Sequence, residues 1–493
     1  LVGSEMCIRD RYYRLFIVLY FADRLLVGLQ QVKRCCRRRS SYQQRDKGSG
    51  GIVDTVTIDA HKKNFYTEEK QMQLAELTEA VAKSDYLPQL HIYPKAGLMN
   101  DPNGLAYFNQ KYYVFFQWYP FGPVHGLKHW GKTTSTDLIN WSEQEPALIP
   151  DQSYEKNGCY SGNAIEYQER LYLFYTANFK TPEGKIPKQA VAIMDKNEQI
   201  TKVKQPIIDS EIPGLSGELR DPYVFSKNGL FYMLLGGSKF TDKEHTGFGE
   251  EGVLLLYRSE NLLDWCYQGL IDLPIDTGYM LECPSVIEVD GKDVLFLSPM
   301  GMASDGTRFR NRFATVYLVG ELDVENLRFK TDNWDELDAG FDFYAPQAFY
   351  KGREVLMMAW FGCGEPEYPI SEEWKHGLTF TQKLKLNRGK LCRFPAEEIL
   401  NAFSSGERVD TKVVKPETST YHLHLTAGFN FRIGSDQDYW SFSYDANKEE
   451  ASISRAGLAL KIDEMFGYER KATIKDLTTI DVFVDNSFVE IYL

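Results

Sequence analysis

The chain has 493 residues, a formal net charge of -13, and 30 tyrosines, 30 phenylalanines and 8 tryptophans. This length allows two domains with full cores, and so many aromatic residues are typical of β-sheet proteins. The acidic charge argues against nucleic-acid binding, which needs a basic surface.

Residues 1–55 are predicted to be a disordered leader or non-native sequence. The apolar run Leu15–Ala22 is too short to span a membrane, so no membrane partner is expected. Only arginine-rich sequence follows it, without the small-residue cleavage site of a signal peptide. Residues 34–50 have no apolar periodicity, which is typical of disorder. A genuine basic leader is the alternative.

Five cysteines are scattered through the body of the chain without the spacing of a metal site or of a disulfide framework. This pattern predicts reduced, mostly buried thiols in a cytoplasmic protein. The five are Cys159, Cys266, Cys283, Cys363 and Cys392.

The segment 56–90 is predicted to carry a surface helix over Phe65–Lys83. Thr67 is placed to cap the helix, and Glu68 and Glu69 fall in its first turn. Apolar residues then recur at spacings of three and four, as the buried face of a helix requires.

From residue 91 to residue 395 the chain repeats one pattern five times. Each unit begins with a short turn of small, polar or proline residues, and two apolar strands joined by a tight turn follow. The opening turns recur about every 60 residues, which indicates a repeat architecture. They are Gly97–Gly104, Tyr160–Ala164, Arg220–Pro222, Glu282–Pro284 and Tyr344–Gln347.

Five units of three or four antiparallel strands predict an all-β chain with a five-bladed β-propeller over 91–395. The innermost strand of each blade then lines the axis, and the opening turns gather at one mouth. A linker with a short helix is predicted over 396–415. A β-sandwich is predicted over 416–493, and it is expected to be incomplete because the last pattern stops within a strand. Its predicted strands are Thr420–Thr426, Asn430–Ile433, Trp440–Tyr444, Ser452–Ser454 and Thr479–Leu493.

The repeat predicts that three acidic residues lie at matching positions of units one, three and four. They are Asp101, Asp221 and Glu282. They are therefore expected to converge at the axial mouth. Three carboxyl groups in a polar funnel suit glycoside hydrolysis, in which one attacks, one protonates the leaving oxygen and one holds sugar hydroxyls. The alternative is that they are ordinary turn acids, since Asp is favoured in turns.

The stretch Gly97–Gly104 resembles the signature of glycoside hydrolase family 32, the β-fructofuranosidases. Arg220-Asp221-Pro222 and Glu282-Cys283 match the other two motifs of that family. The resemblance implies a propeller followed by a sandwich, with no cofactor. It implies that Asp101 is the nucleophile, Glu282 the general acid and base, and Asp221 the stabiliser of the transition state. It also implies sugar contacts from Leu98, Met99, Asn100, Gln117, His125, Tyr160, Ser161, Arg220 and Trp360.

This mechanism needs two carboxyl environments. Asp101 is expected to stay ionised near its ordinary pKa of about 3.9, whereas the pKa of Glu282 is expected to be raised so that it stays protonated. Retention of configuration predicts that the two carboxyl groups lie roughly 5–5.5 Å apart.

The loop Phe121–Trp130 resembles that of bacterial sucrose-6-phosphate hydrolases, and Lys128 within it is the candidate phosphate ligand. The alternative is a solvated surface lysine. Hydrolysis of sucrose and its 6-phosphate is therefore predicted, with a preference for the phosphate. An invertase or fructan hydrolase, an inverting propeller glycosidase acting on arabinan or xylan, and a non-catalytic carbohydrate-binding propeller are the rival functions.

No metal or cofactor is predicted. His125 and His129 are four residues apart, but Pro123 and Gly126 argue against a helix that would align them. The only partner expected is a small sugar substrate.

Overall fold

The computed structural model describes residues 55–57, 65–182, 184–186, 188–209, 212–242, 249–362, 372–403, 405–409, 413–460 and 467–493. They belong to one of two units of the chain, Val53–Leu493. The predicted leader up to residue 54, and Cys363, lie outside these residues. No helix in the described ranges is long and apolar enough to cross a membrane.

The described chain is all-β apart from two short α-helices and one turn of 3-10 helix. Helix α1 spans Glu68–Val81, within the predicted range, and Thr67 accepts a hydrogen bond from Lys70 N as its cap. Helix α2 spans Glu397–Ala402 and the 3-10 turn spans Ser153–Glu155.

Residues 97–395 form five sheets of four or five strands in chain order. The first contains β2 (Gly97–Phe108), β3 (Lys111–Tyr119), β4 (His129–Ser135), β5 (Glu145–Leu148) and β22 (Trp374–Lys375). The second contains β6 (Ala164–Tyr167), β7 (Arg170–Ala177), β10 (Lys188–Met194), β11 (Ile200–Val203) and the early strand β1 (Thr55–Thr57). The third contains β12 (Leu215–Lys227), β13 (Leu230–Phe240), β14 (Glu250–Ser259) and β15 (Cys266–Ile271).

The fourth sheet contains β16 (Met280–Val289), β17 (Lys292–Met300), β18 (Val316–Asp323) and β19 (Arg328–Glu336). The fifth contains β20 (Tyr344–Lys351), β21 (Glu354–Phe361), β23 (Gly377–Leu378), β24 (Gln382–Asn387) and β25 (Lys390–Pro395). A two-stranded hairpin that the sequence did not predict, β8 (Lys180–Thr181) with β9 (Gly184–Lys185), projects from the second sheet's chain segment.

The first strands of the five sheets contact one another in cyclic order, β2 to β6, β6 to β12, β12 to β16, β16 to β20, and β20 back to β2. Apolar clusters of the described residues fill the space between each pair of neighbouring sheets, including the pair formed by the first and the fifth. Successive buried side chains of a strand point to opposite faces of its sheet, so each sheet contributes to the cluster on either side of it.

Side-chain amides join neighbouring first strands where these strands meet. Asn163 accepts from Val224 N at 2.8 Å and donates to Val224 O at 2.9 Å. Gln347 accepts from Leu105 N at 3.0 Å and donates to Gly162 O at 3.0 Å. Because buried backbone groups need partners, these amides satisfy what the splayed strands leave unpaired.

The opening turns predicted in units one, three, four and five are not separate turns but β-bulges inside the first strands. In unit two, residues 160–163 precede β6. In β12, β16 and β20 the pairing skips two residues, Asp221-Pro222, Cys283-Pro284 and Ala345-Pro346. Proline cannot donate to the ladder, so it is tolerated in a strand where the ladder is interrupted.

The remaining strands form two sheets, one of β26 (Thr420–Leu425), β31 (Ile480–Asp485) and β32 (Phe488–Tyr492), the other of β27 (Phe431–Gly434), β28 (Tyr439–Asp445), β29 (Glu450–Ser454) and β30 (Glu469–Thr473). An apolar cluster containing Phe442, Ile480 and Val482 lies between them. The prediction of a single strand over Thr479–Leu493 was wrong, because Asn486 adopts φ 55° and turns the chain into a hairpin. Strand β30 was missed.

Cys159, Cys283 and Cys392 are free thiols, as predicted, but Cys266 is disulfide-bonded. The prediction of reduced cysteines was therefore wrong for Cys266.

Candidate active site

A cleft of about 620 Å³ opens beside the bulges of the first strands. Its wall combines carboxylates, amides, cations and aromatic rings, which is the composition expected of a site that binds a polar ligand. The sequence-predicted residues that line it are Asn100, Asp101, Gln117, His125, Lys128, Tyr160, Ser161, Arg220, Asp221, Glu282 and Trp360.

Leu98 and Met99 do not line this cleft, and their contact with the sugar stays a prediction. Their exposed fractions are 2% and 0%, and Met99 packs in the apolar cluster between the first and fifth sheets. Both precede the bulge of β2, where successive side chains point to opposite faces of the sheet and both faces are buried.

The matching of the three acids was wrong by one residue. In β12, β16 and β20 the last paired residue before the bulge is Arg220, Glu282 and Tyr344, respectively. Glu282 is therefore the counterpart of Arg220, and the counterpart of Asp221 is Cys283. Because successive side chains of a strand point to opposite faces, this offset gives Glu282 other hydrogen-bond partners than the two aspartates have.

The bulge residues adopt a left-handed backbone that non-glycine residues rarely adopt. The φ angles are 63° for Asp221, 46° for Cys283 and 50° for Ala345. Such a conformation costs of order 1 kcal/mol for each residue. It directs the Asp221 and Cys283 side chains toward the same point.

Asp101 and Asp221 meet at Cys283. The Cys283 Sγ lies 3.8 Å from Asp101 Oδ2 and 3.5 Å from Asp221 Oδ2. Cys283 N also donates to Asp221 Oδ2 at 2.9 Å, and Ser161 Oγ donates to Asp101 Oδ2. Two carboxylates from β2 and β12, 120 residues apart in the chain, are thus held by one residue of β16.

Burial raises the pKa of both aspartates. The pKa of Asp221 rises to about 7 because of burial and the nearby Glu282 charge, although Arg220 opposes the shift. Burial also raises the pKa of Asp101, against the hydrogen bond from Ser161. The expectation that the pKa of Asp101 stays near its ordinary value is therefore not met, since desolvation disfavours the charged form.

Glu282 is held by its two counterparts in the neighbouring repeats. Arg220 Nε donates to Glu282 Oε1 at 2.8 Å, and Tyr344 Oη donates to Glu282 Oε2 at 2.7 Å. Burial alone would lower the pKa of Arg220, but Glu282, Asp221 and Glu218 raise it overall, so this guanidinium stays charged.

Lys128 is buried, with 4% of its surface exposed, which contradicts the alternative of a solvated surface lysine. Its Nζ donates to Asn100 Oδ1 at 2.6 Å. His125 lies beside the Trp360 ring, with ring centroids 6.3 Å apart. Partial burial and the ammonium groups of Lys128 and Lys375 lower the pKa of His125, so its imidazole is neutral.

Sequence reasoning missed Tyr344, Arg312, Phe313 and Met300 as residues of this cleft. Tyr344 begins the fifth predicted turn, so the repeat contained a signal for its position. Met300 is the last residue of β17, and Arg312 and Phe313 follow that strand. No motif marks any of the three.

Within the described ranges, no group of three or more His, Cys, Asp or Glu residues is placed to hold a metal ion. His422 and His424 both hydrogen-bond Asp481, at 2.7 Å and 2.8 Å.

Known proteins resemble this chain over most of its length. The family model described as Glycosyl hydrolases family 32 N-terminal domain matches residues 91–395. The sucrose-6-phosphate hydrolase of Bacillus subtilis is 35% identical over 447 residues, which cover 85% of this chain and 89% of that protein. The sucrose-6-phosphate hydrolase of Staphylococcus xylosus is 32% identical over 449 residues, 87% of this chain and 89% of that protein. The solved structure of sucrose-6-phosphate hydrolase from Lactobacillus gasseri has a TM-score of 0.79 and 31% identity, covering 87% of this chain and 91% of that chain.

Proposed function

Because this chain belongs to glycoside hydrolase family 32, we propose that it is a β-fructofuranosidase that hydrolyses sucrose 6-phosphate and sucrose and releases fructose. The convergence of Asp101, Asp221 and Glu282 on one polar cleft is the observation that carries this function. Retaining glycoside hydrolysis requires two carboxyl groups, one that attacks and one that donates and then accepts the proton, and the third can hold the sugar hydroxyls.

We assign the roles from the partners of each carboxyl group. Asp101 attacks C2 of the fructosyl unit and forms a covalent ester, while the bond from C2 to the bridging oxygen breaks and Glu282 protonates that oxygen. Glu282 then takes a proton from water, which attacks C2 and restores the Asp101 carboxylate. Asp221, with a pKa of about 7, holds the fructosyl hydroxyls.

The cations of the cleft support a phosphorylated substrate. The wall of the cleft contains Lys128, Lys180, Lys185, Arg220 and Arg312, although the whole chain has a net charge of -13. The same wall holds four acidic residues, Asp101, Glu218, Asp221 and Glu282, so cations outnumber acids there by one, and this excess favours an anionic substrate. Phosphate binding by Lys128 stays a hypothesis. A phosphorylated disaccharide is charged and does not cross a bilayer unaided, so the proposal includes a cytoplasmic location.

The finer architecture is also part of the proposal. We infer that the five sheets are the blades of a propeller over 91–395 and that the two last sheets form a sandwich over 416–493, joined by 396–415 and preceded by 56–90. The cyclic contacts of the first strands support this. A small central cavity that is lined from all five repeats supports it as well.

Activity assays of two substitutions test the function. Asp101→Asn and Glu282→Gln are expected to lower kcat for sucrose and sucrose 6-phosphate by roughly 1,000-fold or more, because each removes a group that forms or breaks a bond. Glu288→Gln, an exposed carboxyl on the same strand as Glu282, is the matched control and should keep full activity. Methanolysis in place of hydrolysis should give the methyl β-fructofuranoside if configuration is retained.

The rival functions give different results in the same assays. A non-catalytic carbohydrate-binding propeller would bind sucrose without turnover. An invertase or fructan hydrolase would have a higher kcat/KM on sucrose or inulin than on sucrose 6-phosphate. An inverting enzyme would give the α-anomer on methanolysis.

A further inference from the structure

One hydrogen-bonded chain joins Lys128 to Asp101 through three uncharged side chains. Lys128 Nζ donates to Asn100 Oδ1 at 2.6 Å, and Asn100 Nδ2 donates to Gln117 Oε1 at 3.2 Å. Gln117 Nε2 donates to Ser161 Oγ, and Ser161 Oγ donates to Asp101 Oδ2. Every donor in the chain faces toward Asp101.

The ammonium group determines this direction. An ammonium has three donors and no acceptor, so the amide oxygen of Asn100, and not its NH₂ group, must face Lys128. The NH₂ group of Asn100 then faces the oxygen of Gln117, whose own NH₂ group faces Ser161. The single hydroxyl hydrogen of Ser161 is therefore left to point at Asp101. A neutral group in place of the ammonium would let the two amides rotate.

Little of this hydrogen-bonded chain is exposed to solvent, although its residues lie on the wall of the cleft. The exposed fractions are 4% for Lys128, 6% for Asn100, 4% for Gln117 and 2% for Ser161. In a low dielectric, successive hydrogen bonds polarise one another and the field of a charge extends further than in water. The positive charge at one end therefore stabilises a negative charge at the other.

We propose that Lys128 is a positioning residue for the nucleophile. It orients the Asn100–Gln117–Ser161 chain and favours the carboxylate form of Asp101, and it does not touch the reacting atoms. This inference rests on the proposed function, because it needs Asp101 to be the nucleophile. It differs from the phosphate hypothesis for Lys128, because a residue that acts on Asp101 serves every fructoside alike.

The two hypotheses for Lys128 predict different substrate ratios. The phosphate of sucrose 6-phosphate is on the glucosyl unit, which is the leaving group, whereas Asn100 and Asp101 are adjacent residues on the fructosyl side of the cleavage. A phosphate ligand would matter for one substrate only. A positioning residue would matter equally for sucrose and for its phosphate.

Substitution of Lys128 and steady-state kinetics on both substrates test this inference. Lys128→Met is expected to lower kcat by roughly 10- to 100-fold on both substrates, the effect of one hydrogen bond to a charged group. Lys128→Arg, which keeps the cation and the donors, should restore part of kcat on both. The acid limb of the kcat/KM profile should move to higher pH in Lys128→Met, because Asp101 loses a cation that favours its charged form.

The Lys128 variants leave the other titratable groups near Asp101 and Lys128 unsubstituted. Asp221, Glu282 and Cys283 lie near Asp101, and His125, His129 and His376 lie near Lys128. Lys132→Met is the matched control, since it removes another buried lysine that pairs with Glu198 and Glu145 away from the cleft. It should lower the melting temperature but keep kcat.

Three results would overturn the inference. The first is a loss confined to sucrose 6-phosphate with unchanged kcat on sucrose, which would assign Lys128 to the phosphate. The second is an unchanged acid limb together with unchanged kcat on both substrates. The third is the absence of hydrolysis by the unaltered enzyme, which would overturn the proposed function as well.

Discussion

At the scale of single residues, the site separates its three carboxyl groups by their partners. Asp101 and Asp221 both lie against Cys283, and burial, together with the nearby charges of Glu282 and Asp101, raises the pKa of Asp221 to about 7. Like charges at close range disfavour the second ionisation. The hydrogen bond from Ser161 favours the charge on Asp101. The structure therefore gives the two aspartates different partners, the Ser161 hydroxyl for Asp101 and the backbone N–H of Cys283 for Asp221.

The Tyr344 hydroxyl donates to Glu282 Oε2 at 2.7 Å, so its removal is expected to affect catalysis. Tyr344→Phe is expected to lower kcat by about 10-fold, because it removes one hydrogen bond that orients the proposed general acid. Tyr350→Phe on the same strand is the control, since its hydroxyl accepts from Glu288 N at 2.9 Å outside the cleft. Equal kcat for the two variants would show that the Tyr344 hydroxyl does not assist Glu282.

At the scale of elements, interrupted strands place the site. A regular strand directs alternate side chains to opposite faces, so it cannot present two successive residues to one cleft. The bulges of β12 and β16 break this alternation at Asp221 and Cys283, which adopt left-handed backbone. Arg220 and Glu282, just before the two bulges, can then contact each other across neighbouring sheets.

A buried cation supports the loop that leads into the site. Lys202 of β11 is fully buried and forms ion pairs with Asp151, at 2.9 Å, and with Glu155. Shortly after Glu155 in the chain, Cys159 N donates to Lys128 O at 2.9 Å. Lys202→Met is expected to lower the free energy of unfolding by about 3–5 kcal/mol, because it leaves buried carboxylates without their cation. Urea unfolding of Lys202→Met and of the unaltered protein measures this difference in the free energy of unfolding.

The control for Lys202 is Lys448→Met. Lys448 pairs with Asp445 on the surface, and 70% of its side chain is exposed. Its substitution should change the free energy of unfolding by less than about 0.5 kcal/mol. A similarly small effect for Lys202→Met would show that the buried carboxylates find other partners or protonate.

At the scale of the whole described unit, one ionic cluster joins its two ends. Asp485 of β31 accepts from the backbone N–H groups of Gln89, Leu90 and His91 at 2.7–2.8 Å and from His91 Nδ1 at 2.8 Å. Glu490 of β32 lies 3.1 Å from His91 Nε2. The sheet near the C-terminus is therefore attached to the segment that precedes the first sheet.

This cluster predicts how stability depends on pH. Burial alone would raise the pKa of Asp485, but the hydrogen bonds from His91 and from the backbone lower this pKa to about 2. Because this is below the unfolded value of about 3.9, the stabilisation is present above about pH 4 and is lost as the pH falls toward 2. Burial alone would lower the pKa of His91, but Asp485 and Glu490 raise it overall. Its contribution is therefore full below about pH 6.5 and is lost as the pH rises through the raised value.

Urea unfolding between pH 2 and pH 9 checks both signs. Asp485→Asn is expected to be less stable than the unaltered protein at pH 6 and to lose less stability between pH 4 and pH 2. Equal acid slopes for the two proteins would contradict the role of Asp485.

The sequence by itself indicated most of the strands, the five repeats and the three carboxyl groups that line the cleft. These follow from local patterns, namely alternation of apolar residues, hairpin turns and X-X-Pro motifs, and a local pattern is visible without any partner strand. The same patterns predicted helix α1 with its Thr67 cap.

Only the tertiary structure decided where those side chains face. The one-residue offset that makes Glu282 the counterpart of Arg220, the burial of Leu98 and Met99, and the chain from Lys128 to Asp101 all depend on how strands from distant parts of the sequence pair. Cross-strand register and burial arise from contacts between residues far apart in the chain. The repeat therefore indicated which strands bring their residues together, and the bulges decide which side chains face the cleft.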